Sequence, residues 1–139
     1  MSGTVHATAV AVRGAGVLLI GAPGSGKSDL ALRLIDRGAV LIADDRVGVD
    51  AVDGAALLSP PPTIAGLIEV RGLGIVRMAH LSGVPAALAV RVDVAPDRLP
   101  EPSTFDLAGC AIPSLALSPF EASAPMKVEL AVARLAARG

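Results

Sequence analysis

Eight consecutive residues constrain this chain more than any others: Gly21-Ala22-Pro23-Gly24-Ser25-Gly26-Lys27-Ser28. They fit G-x-x-x-x-G-K-[ST] at every fixed position. In front of them, Val17-Leu18-Leu19-Ile20 reads as a short strand buried on both faces. Behind them, Leu30, Ala31, Leu34 and Ile35 recur at spacings of three and four, the stripe of an amphipathic helix that ends at Gly38. A glycine-rich turn that merely precedes a helix is the bland alternative, and the correct flanking elements argue against it. Glycines at 21, 24 and 26 permit positive φ, so successive backbone N–H groups can converge on a phosphate chain. The helix N-terminus adds partial positive charge. In such a loop Lys27 reaches the β- and γ-phosphates of a bound nucleotide and the Ser28 hydroxyl ligates Mg²⁺.

The rest of the chain reads as one α/β domain of 139 residues. Val5–Arg13 alternates as a strand, and 39–43 is a second buried strand that should run parallel beside 17–20. Residues 46–52 and 55–59 form a hairpin about Asp53-Gly54. Residues 59–63 (SPPPT) are an extended loop, 64–78 are apolar pieces broken by glycines, and 86–94 and 111–119 are further strands. A terminal helix over 126–138 packs Val128, Ala131, Val132 and Leu135 on the sheet, leaving its charges in water, as do Arg33, Asp36 and Arg37 on the first helix. The expected architecture is a mixed β-sheet carrying the glycine loop, with flanking helices.

Composition excludes several functions. Hydrophobic residues are 53% and mean hydropathy is +0.64. No uninterrupted apolar run approaches the ~20 residues of a membrane helix. A net charge of -1 leaves no electrostatic footprint for nucleic acid or anionic lipid. Two Phe and no Trp or Tyr argue against a stacking surface for single strands. The single Cys110, expected as a small buried residue, excludes an internal disulfide and a multi-thiolate zinc site. No secretory signal opens the sequence, so the cytoplasm is the expected compartment.

Asp44-Asp45 closes the strand expected next to the loop strand, where a parallel sheet places ligands at its carboxyl end. Adjacent residues leave a strand on opposite sides, so one carboxylate can orient Mg²⁺ while the other approaches an acceptor. A polar turn is the competing explanation, and the glycine loop favours the functional one. His6, on the strand before VLLI, reads on physics alone as a structural hydrogen-bonding residue. Glu69 could ligate Mg²⁺ and Arg71 could neutralise phosphoryl charge, but an exposed ion pair fits their spacing equally.

Together, His6, GAPGSGKS at 21–28, ADD at 43–45 and IEVRGLGI at 68–75 resemble the catalytic domain of bacterial HPr kinase/phosphorylase, over about Thr4 to Ile75 and more weakly beyond. The resemblance implies a fold related to phosphoenolpyruvate carboxykinase. It also implies phosphorylation of a serine on the phosphocarrier protein HPr with ATP or pyrophosphate and Mg²⁺, reversal by phosphorolysis in many members, and a hexameric homo-oligomer. It gives Asp45 the role of accepting the serine proton, His6 that of an active-site histidine assisting it, and Glu69 that of a Mg²⁺ ligand beside Ser28 and Asp44. PDRLP at 96–100 resembles the loop with a further catalytic arginine, here Arg98.

Two departures stand out. The chain resembles a short single-domain form over 1–139, without the family's N-terminal domain. The segment 117–127 (LSPFEASAPMK) has no arginine where the family is Pro- and Arg-rich, which predicts weak or absent phosphorylase activity. A small-molecule P-loop kinase and a non-catalytic nucleotide-binding regulator are the other functions considered. A docking surface for the protein partner could use Leu73, Ile75 and Met78, although ordinary core is the favoured expectation for these three.

Overall fold

The computed structural model describes residues 3–138. In chain order the strands are β1 (Gly3–Val5), β2 (Thr8–Val12) and β3 (Ala15–Ile20), followed by helix α1 (Lys27–Asp36). Then come β4 (Val40–Ala43), β5 (Val47–Val52), β6 (Ala55–Ser59), β7 (Leu67–Val70), β8 (Gly74–Arg77) and β9 (Val84–Arg91). The hairpin strands β10 (Ser103–Leu107) and β11 (Cys110–Ala116) precede helix α2 (Ala124–Arg138).

The main sheet runs β1-β5-β6-β9-β3-β2-β4. Strand β9 is parallel to β3 and, along its last residues, also to β11, which carries β10. Most other pairings are antiparallel, so the sheet is mixed and curls upon itself. Both helices pack on one face, over Val10, Val17, Leu19, Leu41, Leu88 and Val90. The opposite face closes on the sheet's own curled ends, where Leu18, Ile42 and Ala89 meet Val47, Leu58, Leu107 and Ile112. The aliphatic stripes end up where their spacing puts them: Leu30, Ala31 and Leu34 of α1 and Val128, Ala131 and Val132 of α2 are buried. Each fully buried leucine stabilises the fold by about 1.5–3 kcal/mol.

Three arrangements differ from the sequence-based expectations. Val5–Arg13 is not one strand. It breaks at His6-Ala7, because β1 pairs with β5 while β2 pairs with β3 and β4. Strand β4 does not neighbour β3: β2 lies between them, antiparallel to both. Strands β3 and β4 still point the same way, so their carboxyl ends open on one edge, joined there by the start of β2. Strand β10 is polar and short, and its alternation is too weak to be read in advance. The hairpin at Asp53-Gly54 forms as expected, with both residues at positive φ.

The helices are tied together by charged groups that sequence reading assigns to water. Arg37 hydrogen-bonds Glu129 of α2 at 3.0 Å, and that bond with the carboxylate charge raises the guanidinium pKa above its usual value. Arg33 pairs with Asp29 and reaches across to donate to the backbone carbonyls of Pro119 and Glu121.

Candidate active site

The glycine loop joins β3 to α1 at the edge where β3 and β4 end. Gly26 occupies the N-cap of α1 at φ +99°, and no side chain caps the helix. The first amides of α1 therefore face outward without an internal side-chain acceptor, the arrangement that suits an anion. Lys27 folds over the loop, its ammonium donating to the carbonyls of Gly21 (2.6 Å) and Ala22 (3.2 Å). Gly21 has no room for a side chain, since a Cβ would lie 2.5 Å from Ser25 Oγ and 2.8 Å from Val92.

The centre of the polar network is Asp44, only 7% exposed. Its Oδ1 accepts hydrogen bonds from Ser28 Oγ at 2.6 Å and Thr8 Oγ1 at 3.0 Å. Its Oδ2 accepts the backbone N–H of Glu69 at 2.9 Å. One carboxylate thus joins the glycine loop, β2, β4 and the β7–β8 hairpin. A β-bulge explains how it gets there. Ala9 pairs with Ala43 but Val10 with Leu41, so Ile42 is an extra residue. Leu41 faces the helices, while Ile42 and Ala43 both join the opposite cluster. The parity of the strand changes, and Asp44 emerges on the helix side, at Ser28.

Asp45 follows in the left-handed region at φ +69° and is exposed. Its N–H donates to Thr8 Oγ1 at 3.3 Å. His6 is exposed at the break between β1 and β2. Because Val5 pairs with Val47 in antiparallel register, His6 stands beside the Asp45-Arg46 turn.

Thr8 is fully buried, and sequence reading gave it no role. Its place in the strand alternation was visible, but its two partners come from β4 and the turn after it. Asp93 was likewise missed. It follows β9 and accepts the Ala22 N–H at 2.9 Å, holding the loop from the side opposite Asp44. The signal available was its position just past the end of a strand parallel to β3.

The donors gathered at Ser28 and Asp44 are a hydroxyl and a carboxylate. Such hard oxygens fit Mg²⁺, which takes one or two protein carboxylates and completes its shell with water and phosphate. No group of three or more His, Cys, Asp or Glu side chains arranged to hold a metal occurs among the described residues.

The family described as HPr Serine kinase C-terminal domain matches residues 1–94. The chain belongs to this family. Its relatives include HPr kinase/phosphorylases of Enterococcus faecalis (49% identical over 84 residues), Lacticaseibacillus casei (45% over 91) and Clostridium tetani (41% over 87). These alignments cover 60%, 65% and 63% of this chain but 27%, 28% and 28% of the relatives, so the chain matches little more than a quarter of their length. The solved structure of the HPr(Ser) kinase/phosphatase from Coxiella burnetii superposes with a TM-score of 0.84 at 25% identity, covering 99% of this chain and 92% of that one.

The remaining residues of the HPr kinase-like signature fall on the β7–β8 hairpin. Ile68 is buried against the helix-side core. Glu69 presents its amide to Asp44, and Arg71 is exposed in the turn. Leu73 and Ile75 stand 78% and 65% exposed rather than in the core, because the hairpin forms its own two-stranded sheet and only one of its faces packs on the domain. Met78 does pack against the core. Arg98 lies on the exposed loop between β9 and β10, and no described hydrogen bond or ion pair ties it to the glycine loop. Cys110 is a half-buried free thiol.

Proposed function

We propose that this chain transfers the terminal phosphoryl group of ATP, or of pyrophosphate, to a serine hydroxyl of an HPr-like phosphocarrier protein. The observation that carries the reading is the 2.6 Å hydrogen bond between Ser28 of the glycine loop and buried Asp44, with Asp45 next in the chain and exposed. It brings the glycine loop, the polyphosphate cradle of this proposal, and a solvent-facing acid to the same edge of the sheet. Membership of the HPr kinase family supports a kinase, and its relatives' names supply the protein acceptor.

In this mechanism Gly21–Ser28 wraps the phosphates with backbone amides. Lys27 exchanges its two loop carbonyls for phosphate oxygens and stabilises the charge that develops on them. Ser28 and Asp44, with Glu69, would hold Mg²⁺, which when bound neutralises phosphoryl charge. As the serine oxygen forms its bond to phosphorus and the bond to the leaving phosphate breaks, Asp45 takes the hydroxyl proton. The transition state is loose, so the proton moves late and most acceleration comes from alignment. His6 beside the Asp45 turn assists that acid, Arg71 contributes positive charge from the hairpin, and Arg98 contributes it from the exposed loop that follows β9.

Reverse phosphorolysis is weak in this proposal. The arginine that reaches the 117–127 segment, Arg33, comes from α1 and is engaged by Asp29, Pro119 and Glu121. A cytoplasmic homo-oligomer, a hexamer as in the family resemblance, and kinship of the fold with phosphoenolpyruvate carboxykinase belong to the same proposal. No helix among the described residues is long and apolar enough to cross a membrane.

The test offers labelled ATP, with HPr and a panel of small acceptors, to the purified protein. Label on HPr is expected, reduced at least ~10²-fold in Lys27→Ala, with phosphate release from the phosphoprotein much slower than the forward reaction. Label on a metabolite would make this a small-molecule kinase. Nucleotide binding without transfer would make it a regulator.

A further inference from the structure

The backbone between Asp44 and Asp45 is bent in an uncommon way. The Arg46 N–H donates to the Asp44 carbonyl at 2.8 Å. Asp45, between them, has φ +69°. A hydrogen bond spanning one residue of positive φ makes a γ-turn of the rare, strained form. Aspartate tolerates the left-handed region better than most residues, yet the conformation is unfavourable and persists only where neighbours hold it.

Both ends of the turn are tied down. Asp44 is bound by Ser28, Thr8 and the Glu69 amide. After Arg46, Val47 opens β5 opposite Val5. At the centre, the Asp45 N–H donates to Thr8 Oγ1 at 3.3 Å. Thr8 is a fully buried hydroxyl on a strand whose other residues are apolar. Its partners fix its polarity. The Asp44 carboxylate can only accept, so the Thr8 proton goes to Oδ1 at 3.0 Å, and the oxygen is left to accept from the Asp45 amide. A one-way chain results, from the Asp45 N–H through the Thr8 hydroxyl to Asp44. Valine has the same shape, but it would leave the amide without this acceptor and Asp44 short of one donor.

We propose that Thr8 is a positioning residue for phosphoryl transfer: its hydroxyl pins the strained turn that holds Asp45 out toward the acceptor while Asp44 stays inside. The inference rests on the reading of Asp45 as the acid that takes the serine proton, and deepens it by naming the group that aims that acid. In that reading the phosphates are held by Gly21–Ser28, and Asp44 keeps Ser28 and the Glu69 amide when Thr8 is replaced. Loss of the hydroxyl therefore disturbs alignment of Asp45 and spares nucleotide affinity.

The experiment compares the wild type with Thr8→Val and Thr8→Ser, and repeats Thr8→Val in an Asp45→Asn background. Amide hydrogen exchange, followed by NMR without nucleotide or metal, reads the pin directly. The Asp45 amide is expected to exchange at least ~10-fold more slowly than in an unstructured chain in the wild type and Thr8→Ser, and to lose that protection in Thr8→Val. Turnover on HPr with labelled ATP should fall about tenfold to a hundredfold in Thr8→Val and recover to within about fivefold of wild type in Thr8→Ser. ATP affinity, by calorimetry, should change by less than about threefold in both. In the Asp45→Asn background Thr8→Val should alter turnover by less than about twofold, because the acid it aims is gone. The full further loss in that background would make Thr8 a general structural residue and overturn the proposal. So would failure of Thr8→Val to fold, or an unprotected Asp45 amide in the wild type. A wild type that transfers no phosphoryl group would overturn the proposed function and the effect on turnover with it, whereas Asp45 protection that depends on the Thr8 hydroxyl would still establish the pin.

Discussion

The two sides of the glycine loop are built differently. Toward β4, side chains converge on a buried carboxylate: Asp44 receives Ser28, Thr8 and the Glu69 amide. Toward β9, the loop is held by one exposed hydrogen bond, Asp93 to the Ala22 N–H, and by the ring of Phe120 against Gly26. A buried, multiply bonded acid fixes geometry closely, because moving any partner leaves a charged group short of hydrogen bonds. A rim contact and an exposed ring tolerate adjustment. The difference teaches where chemistry and where affinity should reside. Alignment of reacting atoms needs the rigid side, whereas gripping the remainder of a substrate needs only contact area.

The largest test of this contrast is Asp44→Ala. It strips three donors of their acceptor, and we expect a loss of about 3 kcal/mol in unfolding free energy by urea titration, together with loss of phosphoryl transfer. Unchanged stability would show that the carboxylate does not join the two halves of the site. Asp45→Asn comes next. Asn accepts the left-handed conformation at least as well as Asp, so the fold and nucleotide affinity should be kept while turnover falls at least ~10²-fold. Wild-type turnover in this variant would remove the proton-accepting role. Asp93→Ala should have the smallest effect, roughly fivefold in nucleotide affinity with turnover nearly unchanged. A collapse of turnover as deep as that of Asp45→Asn would erase the distinction between the two sides.

Much of the site was legible in the residues. The loop, its flanking strand and helix, and the paired aspartates are local patterns, and local backbone preferences carry them. The signature IEVRGLGI was legible as a resemblance, but which of its groups meets Asp44 was not. The contact is made by the Glu69 amide, and main-chain atoms look alike at every position of a sequence. Thr8 and Asp93 escaped notice because their partners are 36 and 71 residues away. Leu73 and Ile75 were expected in the core because apolar residues usually are, and a hairpin that packs through one face leaves them outside.

By itself the sequence determined the glycine loop, the helix stripes, the Asp53-Gly54 hairpin and the family. All of these follow from neighbours along the chain, where spacing alone decides which side chains share a face. Tertiary structure alone decided that β2 lies between β3 and β4, and which aspartate turns inward. Strict alternation would align Asp45 with Leu41 and send Asp44 to the opposite face. The extra residue Ile42 in the β2–β4 pairing reverses that order, burying Asp44 at Ser28 and leaving Asp45 facing solvent. A bulge is a property of how two strands are paired, so it cannot be counted along either strand alone.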